Sequence, residues 1–175
     1  DRFQSVTNRI AALPIPTIAV LTGNVFGGGA ELALSCDFRI GRAGVILRIP
    51  AAAIGLCYPV EGIERLARRL GPNLCKRLLV AAETFSSEQL LAHQLLDSVH
   101  SADEVRGAAQ AYAETLLKLA PLSVSTMLDM IRQIEVGTYV RADAEARAKL
   151  CADSDDLQEG IRAQREKRTP VFHGR

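Results

Sequence analysis

One stretch constrains this chain more than any other: Thr17-Ile-Ala-Val-Leu-Thr-Gly-Asn-Val-Phe-Gly-Gly-Gly-Ala-Glu-Leu-Ala-Leu-Ser-Cys-Asp37. Ile18 to Leu21 is a short apolar run with β-branched members, which predicts a fully buried strand. Gly27, Gly28 and Gly29 open backbone conformations closed to other residues. Ala30 to Cys36 has the composition of a helix with almost no polar face, so burial on all sides is expected. Glu31 breaks that pattern. A carboxylate in the first turn of a buried helix is costly unless something uses it. Burial favours its neutral form and the helix N-terminus favours its charged form, so the two influences oppose.

Glycines ahead of a helix leave backbone N–H groups free at its positive end. Such groups hold a phosphate, or an oxyanion that develops during a reaction. No Lys-Ser/Thr follows the glycines, and Gly-x-Gly-x-x-Gly is absent, so neither nucleotide-binding loop is matched. Two readings remain. One is an oxyanion hole with a carboxylate one turn away. The other is a tight strand–helix junction in which Glu31 only complements the helix dipole.

Further motifs stand in order along the chain: Gly62-Ile-Glu-Arg-Leu-Ala-Arg-Arg-Leu-Gly71, Ser86-Ser-Glu-Gln-Leu90, and the segment from Asp153 to Phe172. Together with Pro16-Thr-Ile-Ala-Val-Leu-Thr-Gly23 and Gly27 to Asp37 they resemble the crotonase (enoyl-CoA hydratase/isomerase) superfamily over nearly the whole chain. The resemblance implies an α/β fold: a crotonase-like ββα spiral core over residues 1–102, N-terminally incomplete, and a helical region over 103–175 that trimerises subunits and lids the site. It also implies a strand-rich segment upstream, carrying the first oxyanion-hole N–H and part of the CoA pocket. The chemistry it implies is stabilisation of a thioester enolate. The N–H of Gly28 would be one oxyanion donor and Glu31 would move a proton at the acyl chain. Lys167 matches a lysine that contacts a CoA phosphate, with a solvated helix end as the other reading. The acyl-CoA is the substrate, so no separate cofactor is implied, and the assembly would be a homotrimer or a dimer of trimers.

The departures are informative. Hydratases of the family carry a second catalytic glutamate after the proline that is Pro50 here, and this chain has Ala51. Alanine transfers no proton, so paired-carboxylate hydration lacks a partner. Tyr58 resembles the tyrosine of the methylmalonyl-CoA decarboxylase branch. A phenol is neutral at pH 7 and donates to a carboxylate or a forming carbanion; packing of its ring on the core is the other reading. The aromatic residue three positions before the lysine is Gln164 here, and the family's usual glycine is replaced by Gln94. Three functions follow as expectations: an acyl-CoA lyase or isomerase, a decarboxylase of the methylmalonyl-CoA type, and a catalytically silent oligomer-forming paralogue.

Along the chain, Phe3, Val6, Ile10 and Leu13 predict an amphipathic helix with that stripe inward, ended by Pro14 and Pro16. Phe38–Gly41 and Val45–Ile49 read as short strands around a turn at Arg42–Gly44. A helix over Glu61–Leu70 ends at Gly71, with Pro72 opening the next. Ser86 and Gln89 form a capping box for a helix over Glu88–His93. Glu61 and Glu64 read as a solvated helix face, with a place facing the pocket as the other reading. After Asp103 the pattern is helical, with stripes Val105–Leu119 and Val124–Ile134, then helices over Val140–Cys151 and Asp155–Lys167.

A net charge of +1 argues against nucleic acid or a membrane as partner through bulk electrostatics, and no apolar run approaches the ~18 residues of a spanning helix. Cys36, Cys57, Cys75 and Cys151 are scattered and read as single buried thiols in a reducing, cytoplasmic setting. His93, His100 and His173 are far apart, so no metal site is expected.

Overall fold

The computed structural model describes residues 2–175. The first elements are helix α1 (Arg2–Ala11), strands β1 (Ile18–Leu21) and β2 (Val25–Phe26), helix α2 (Gly28–Ser35), and strands β3 (Phe38–Arg42) and β4 (Ile46–Arg48). A single 3-10 turn at Ala52–Ile54 leads to α3 (Val60–Leu79), β5 (Phe85–Ser86), α4 (Ser87–Ala92) and β6 (Ser98–His100). Four helices complete the chain: α5 (Val105–Leu117), α6 (Pro121–Val136), α7 (Arg141–Ala152) and α8 (Asp155–Glu166). The architecture is mixed α/β, as read from the sequence.

Two three-stranded sheets form, ordered β1-β3-β6 and β2-β4-β5. The strands read as neighbours around Arg42–Gly44 are both present, but they enter different sheets. β3 runs parallel to β1 and β6, while β4 runs parallel to β2 and antiparallel to β5. Each step from one sheet to the other carries the chain along a spiral, and α2 is packed between its turns against β1 and β2. The core gathers Leu34, Val45, Leu47, Ile49, Leu66, Leu78, Phe85, Leu90, Leu95 and Leu96. At about 25 cal/mol per Å² of apolar surface removed from water, these side chains are the main stabilising term.

Tertiary context overrides several local expectations. Among the described residues β1 is at the edge of its sheet, with Ile18 and Ala19 half-buried and Val20 exposed. α2 is not enclosed on every side: Gly28 and Gly29 are exposed and Leu32 is half-buried. α1 turns its polar side inward, burying Gln4 and Thr7, while Val6 and Leu13 are exposed. The expected helix end at Gly71 is present: Gly71 takes the non-helical φ 73° and ψ 158°, which ends the first helical segment of α3, and Pro72 opens the second across the kink. The capping box at Ser86 is formed, although the helix it opens covers Ser87–Ala92. Gln94 adopts φ 58°, a left-handed conformation that explains why glycine suits this turn. Of the cysteines only Cys75 is buried, and Cys57 is exposed.

Contacts divide the chain into two units. One contains Thr17–Gln110 with the helix before it, and the other contains Ala111–Arg175 with Pro14–Pro16. In the second unit α6 packs on α7 and α7 on α8, with Arg147 paired to Asp129. The C-terminal tail folds back onto α8: the N–H groups of His173 and Gly174 donate to the buried Asp156 carboxylate at 2.7 and 2.9 Å. No helix among the described residues is long and apolar enough to cross a membrane.

Candidate active site

Gly27 is the N-cap of α2, with φ 51° and ψ −118°, a combination that an L side chain resists. Its N–H donates to Arg48 O at 3.0 Å, which ties the glycine turn to β4. Gly28 is then the first residue of the helix, so geometry gives its N–H no acceptor within the helix. A Cβ at Gly28 would stand 3.0 Å from the Phe3 ring. Glycine therefore lets α1 approach the turn as well as shaping it.

Glu31 follows on the first turn of α2, with only 1% of its surface exposed. Both of its oxygens are engaged. Tyr58 donates its phenol proton to Oε2 at 2.5 Å, and Arg65 Nη1 donates to Oε1 at 2.8 Å in an ion pair. The Arg65 side chain is 10% exposed. Gln4 Nε2 approaches Oε2 at 3.5 Å, while the buried Oε1 of Gln4 has no partner in the protein. Arg65 also reaches Ser35 Oγ at 3.4 Å and donates through Nη2 to Asn8 Oδ1. The carboxylate read as the one misfit of an apolar helix is thus charge-matched and hydrogen-bonded, as burial requires.

The site is assembled because two long side chains of α3, Arg65 and Arg69, reach α2. Gly62, Arg65 and Arg69 stand at positions i, i+3 and i+7, one line along a helix. Arg69 donates to Leu34 O at 2.7 Å and Cys36 O at 3.2 Å, satisfying carbonyls at the C-terminal end of α2. Gly62 gives clearance. A Cβ there would lie 2.7 Å from Tyr58 Cε1 and 3.1 Å from Glu31 Oε1.

Of the residues singled out from sequence, Glu31 and Tyr58 are in direct contact, and Gly28 begins the same helix. The Tyr58 ring packs against the core cluster as well, so its two readings coexist. Burial first, and then the hydrogen bond to Glu31, push the Tyr58 phenol well above the ordinary tyrosine range, so it is a neutral donor. Glu61 and Glu64 are exposed, and Ala51 is buried at the start of the 3-10 turn. Lys167 belongs to the second unit, where it is exposed and closes α8 in a left-handed conformation at φ 54°. The basic run around it is not free: Arg162 and Arg168 both pair with Glu159. Among the described residues no cluster of His, Cys, Asp and Glu has the makings of a metal site.

Sequence reading passed over Arg65, Gln4, Asn8 and Gly62. The Gly62–Arg65–Arg69 spacing was the available signal for α3. Gln4 and Asn8 carried none, because they sit off the apolar stripe that was expected to face inward.

The sequence model of the enoyl-CoA hydratase/isomerase family matches residues 1–175. Enoyl-CoA hydratase domain-containing protein 2, mitochondrial, of Homo sapiens is 32% identical over 182 residues, covering 100% of this chain and 62% of the human protein. The carnitinyl-CoA dehydratase of Salmonella agona is 31% identical over 166 residues, covering 91% of this chain and 64% of its own length. This chain thus spans less than two thirds of these relatives. Among solved structures, an enoyl-CoA hydratase/carnithine racemase from Magnetospirillum magneticum superposes with a TM-score of 0.91 at 26% identity, over 98% of this chain and 64% of that one.

Proposed function

The chain belongs to the enoyl-CoA hydratase/isomerase family, and on that premise we propose that it processes an acyl-CoA through a thioester enolate stabilised at the N-terminus of α2. The observation that carries this reading is Glu31: a buried carboxylate one turn into the helix that Gly28 begins, with Tyr58 on one oxygen and Arg65 on the other. The N–H of Gly28 serves as an oxyanion donor, an arrangement worth roughly 3 kcal/mol when aimed at the developing charge. Glu31 and Tyr58 form the proton-handling pair at the acyl carbons. Lys167 is the contact to a CoA phosphate.

One feature favours decarboxylation over hydration as the specific reaction. Ala51 leaves no second carboxylate where paired-carboxylate hydration needs one. In decarboxylation the bond between Cα and the substrate carboxylate breaks, carbon dioxide leaves, and the electron pair passes to the thioester as enolate. A single donor then returns one proton to Cα. Because Arg65 balances Glu31, an anionic acyl group meets no net negative charge from that pair.

The test is product analysis on crotonyl-CoA and methylmalonyl-CoA with the intact protein. Release of carbon dioxide from methylmalonyl-CoA, with slow hydration of crotonyl-CoA, is expected. Rapid crotonyl-CoA hydration would overturn the role given to Ala51. Binding of neither thioester would leave the silent oligomer-forming paralogue as the reading. Lys167→Ala should raise KM and leave kcat nearly level, the signature of lost uniform binding.

A further inference from the structure

The proposed chemistry uses Glu31 and Tyr58 but gives no task to the cation behind them. We propose that Arg65 is the positioning residue of this site and that Asn8 sets it, the two together holding the Glu31 carboxylate so that Oε2 is presented to Tyr58. This rests on the reading above that Glu31 takes part in the reaction.

The geometry is specific. Arg65 stands where α1, α2 and α3 meet. Its Nη1 is on Glu31 Oε1 at 2.8 Å, and its Nη2 donates to Asn8 Oδ1. A guanidinium is a planar, rigid fork, so anchoring one nitrogen on Asn8 fixes the direction of the other. With Oε1 pinned, the Glu31 carboxylate cannot turn about its last side-chain bond. Oε2 then stays on Tyr58 Oη at 2.5 Å. Lysine, with a compact ammonium on a flexible stem, reproduces the charge but not this two-point hold.

Stability alone does not account for the pair. A buried ion pair is often no more stabilising than well-packed apolar residues of similar size. Arg65 is nonetheless kept, its side chain 10% exposed, on the line of α3 that also carries Gly62 and Arg69. The arrangement gains what an apolar replacement would not: a charge-balanced carboxylate of one orientation, with an oxygen committed to a neutral donor. Its effect runs through Glu31, since both terminal nitrogens of Arg65 are engaged within the protein.

The experiment combines geometry and kinetics on Arg65→Gln, Arg65→Lys and Asn8→Ala in the intact protein. Crystal structures are expected to show Glu31 turned away from Tyr58, or in two orientations, in R65Q. Turnover should fall by about tenfold to a hundredfold with KM within about twofold, as for a small misplacement of a reacting group. R65K should recover part of the rate. N8A should cost a few-fold, and nothing further when added to R65Q. Glu31 and Tyr58 left in contact in R65Q would overturn the proposal, whatever the rate. Unchanged turnover per folded molecule in R65Q would overturn it equally. If R65Q does not fold, R65K and N8A decide, and full activity in both overturns it. A failure of the functional reading is distinct: the unmodified protein then turns over no thioester, and the crystal structures still decide whether Arg65 positions Glu31.

Discussion

Tyr58 and Glu31, 27 positions apart in sequence, share a 2.5 Å hydrogen bond from the phenol to Oε2. The contact joins the loop before α3 to the first turn of α2. Tyr58→Phe keeps the ring on the core but removes the donor. Turnover should fall by roughly 10²-fold, the lower end of the range for losing general acid–base help. Stability should drop by about 1–3 kcal/mol, because a buried carboxylate oxygen loses a partner. Since the phenol is held well above its ordinary range, Tyr58 should contribute no alkaline limb to the pH–rate profile below about pH 10. Steady-state rates across pH, with melting curves, check both statements.

Glu31→Gln should lower turnover by roughly 10²–10⁴. It should also destabilise the protein, because Arg65 loses its buried counter-charge; breaking such a pair costs on the order of 3–5 kcal/mol. Rate must therefore be measured per folded molecule. An unchanged rate on that basis would remove Glu31 from the mechanism.

Gly62→Ala tests the clearance directly. The added Cβ would sit 2.7 Å from Tyr58 Cε1, and the Tyr58 ring is only half-buried, so it is the group that yields. Turnover should fall towards the Tyr58→Phe level, while the double variant Gly62→Ala/Tyr58→Phe should be no slower than Tyr58→Phe alone. A slower double variant would show that Gly62 acts apart from Tyr58.

The C-terminal tail should be acid-sensitive. Hydrogen bonds from Arg168, and then from the Val171 backbone N–H, lower the Glu159 carboxyl to about 2. A depressed folded value means that the contribution to stability is present above the unfolded value, about 4.3, and is lost as pH falls through about 2. The protection factor of the Val171 amide, its exchange rate taken relative to the free-peptide rate at the same pH, should fall across that window. In Glu159→Gln that protection should already be lost at neutral pH and should not change further in acid.

Assembly is tested by light scattering. The second unit exposes apolar side chains at Leu117, Met127, Ile131, Ile134 and Leu150. Covering them between copies is a reason to expect an oligomer, and the family resemblance implies a trimer or a dimer of trimers. A stable monomer at micromolar concentration would count decisively against it.

Local features of the chain were legible without coordinates. The strand–glycine–helix order, the misfit Glu31, the Ser86–Gln89 capping box and the helical second half all depend on neighbours within a few residues, which periodicity and turn chemistry report. What α1 buries was not legible. An apolar stripe states which side of a helix prefers to leave water, but the actual inward side depends on what stands opposite, and here that is Arg65 and Glu31. The exposure of β1 was hidden for the same reason, since a strand's place at a sheet edge is set by pairing order. The meaning of Glu31 was decided in the same way. Sequence alone identified a carboxylate that needed a partner. Only the tertiary fold brought Arg65 from 34 positions away to one oxygen and Tyr58 to the other, because the stability of a buried charge is determined by groups adjacent in space.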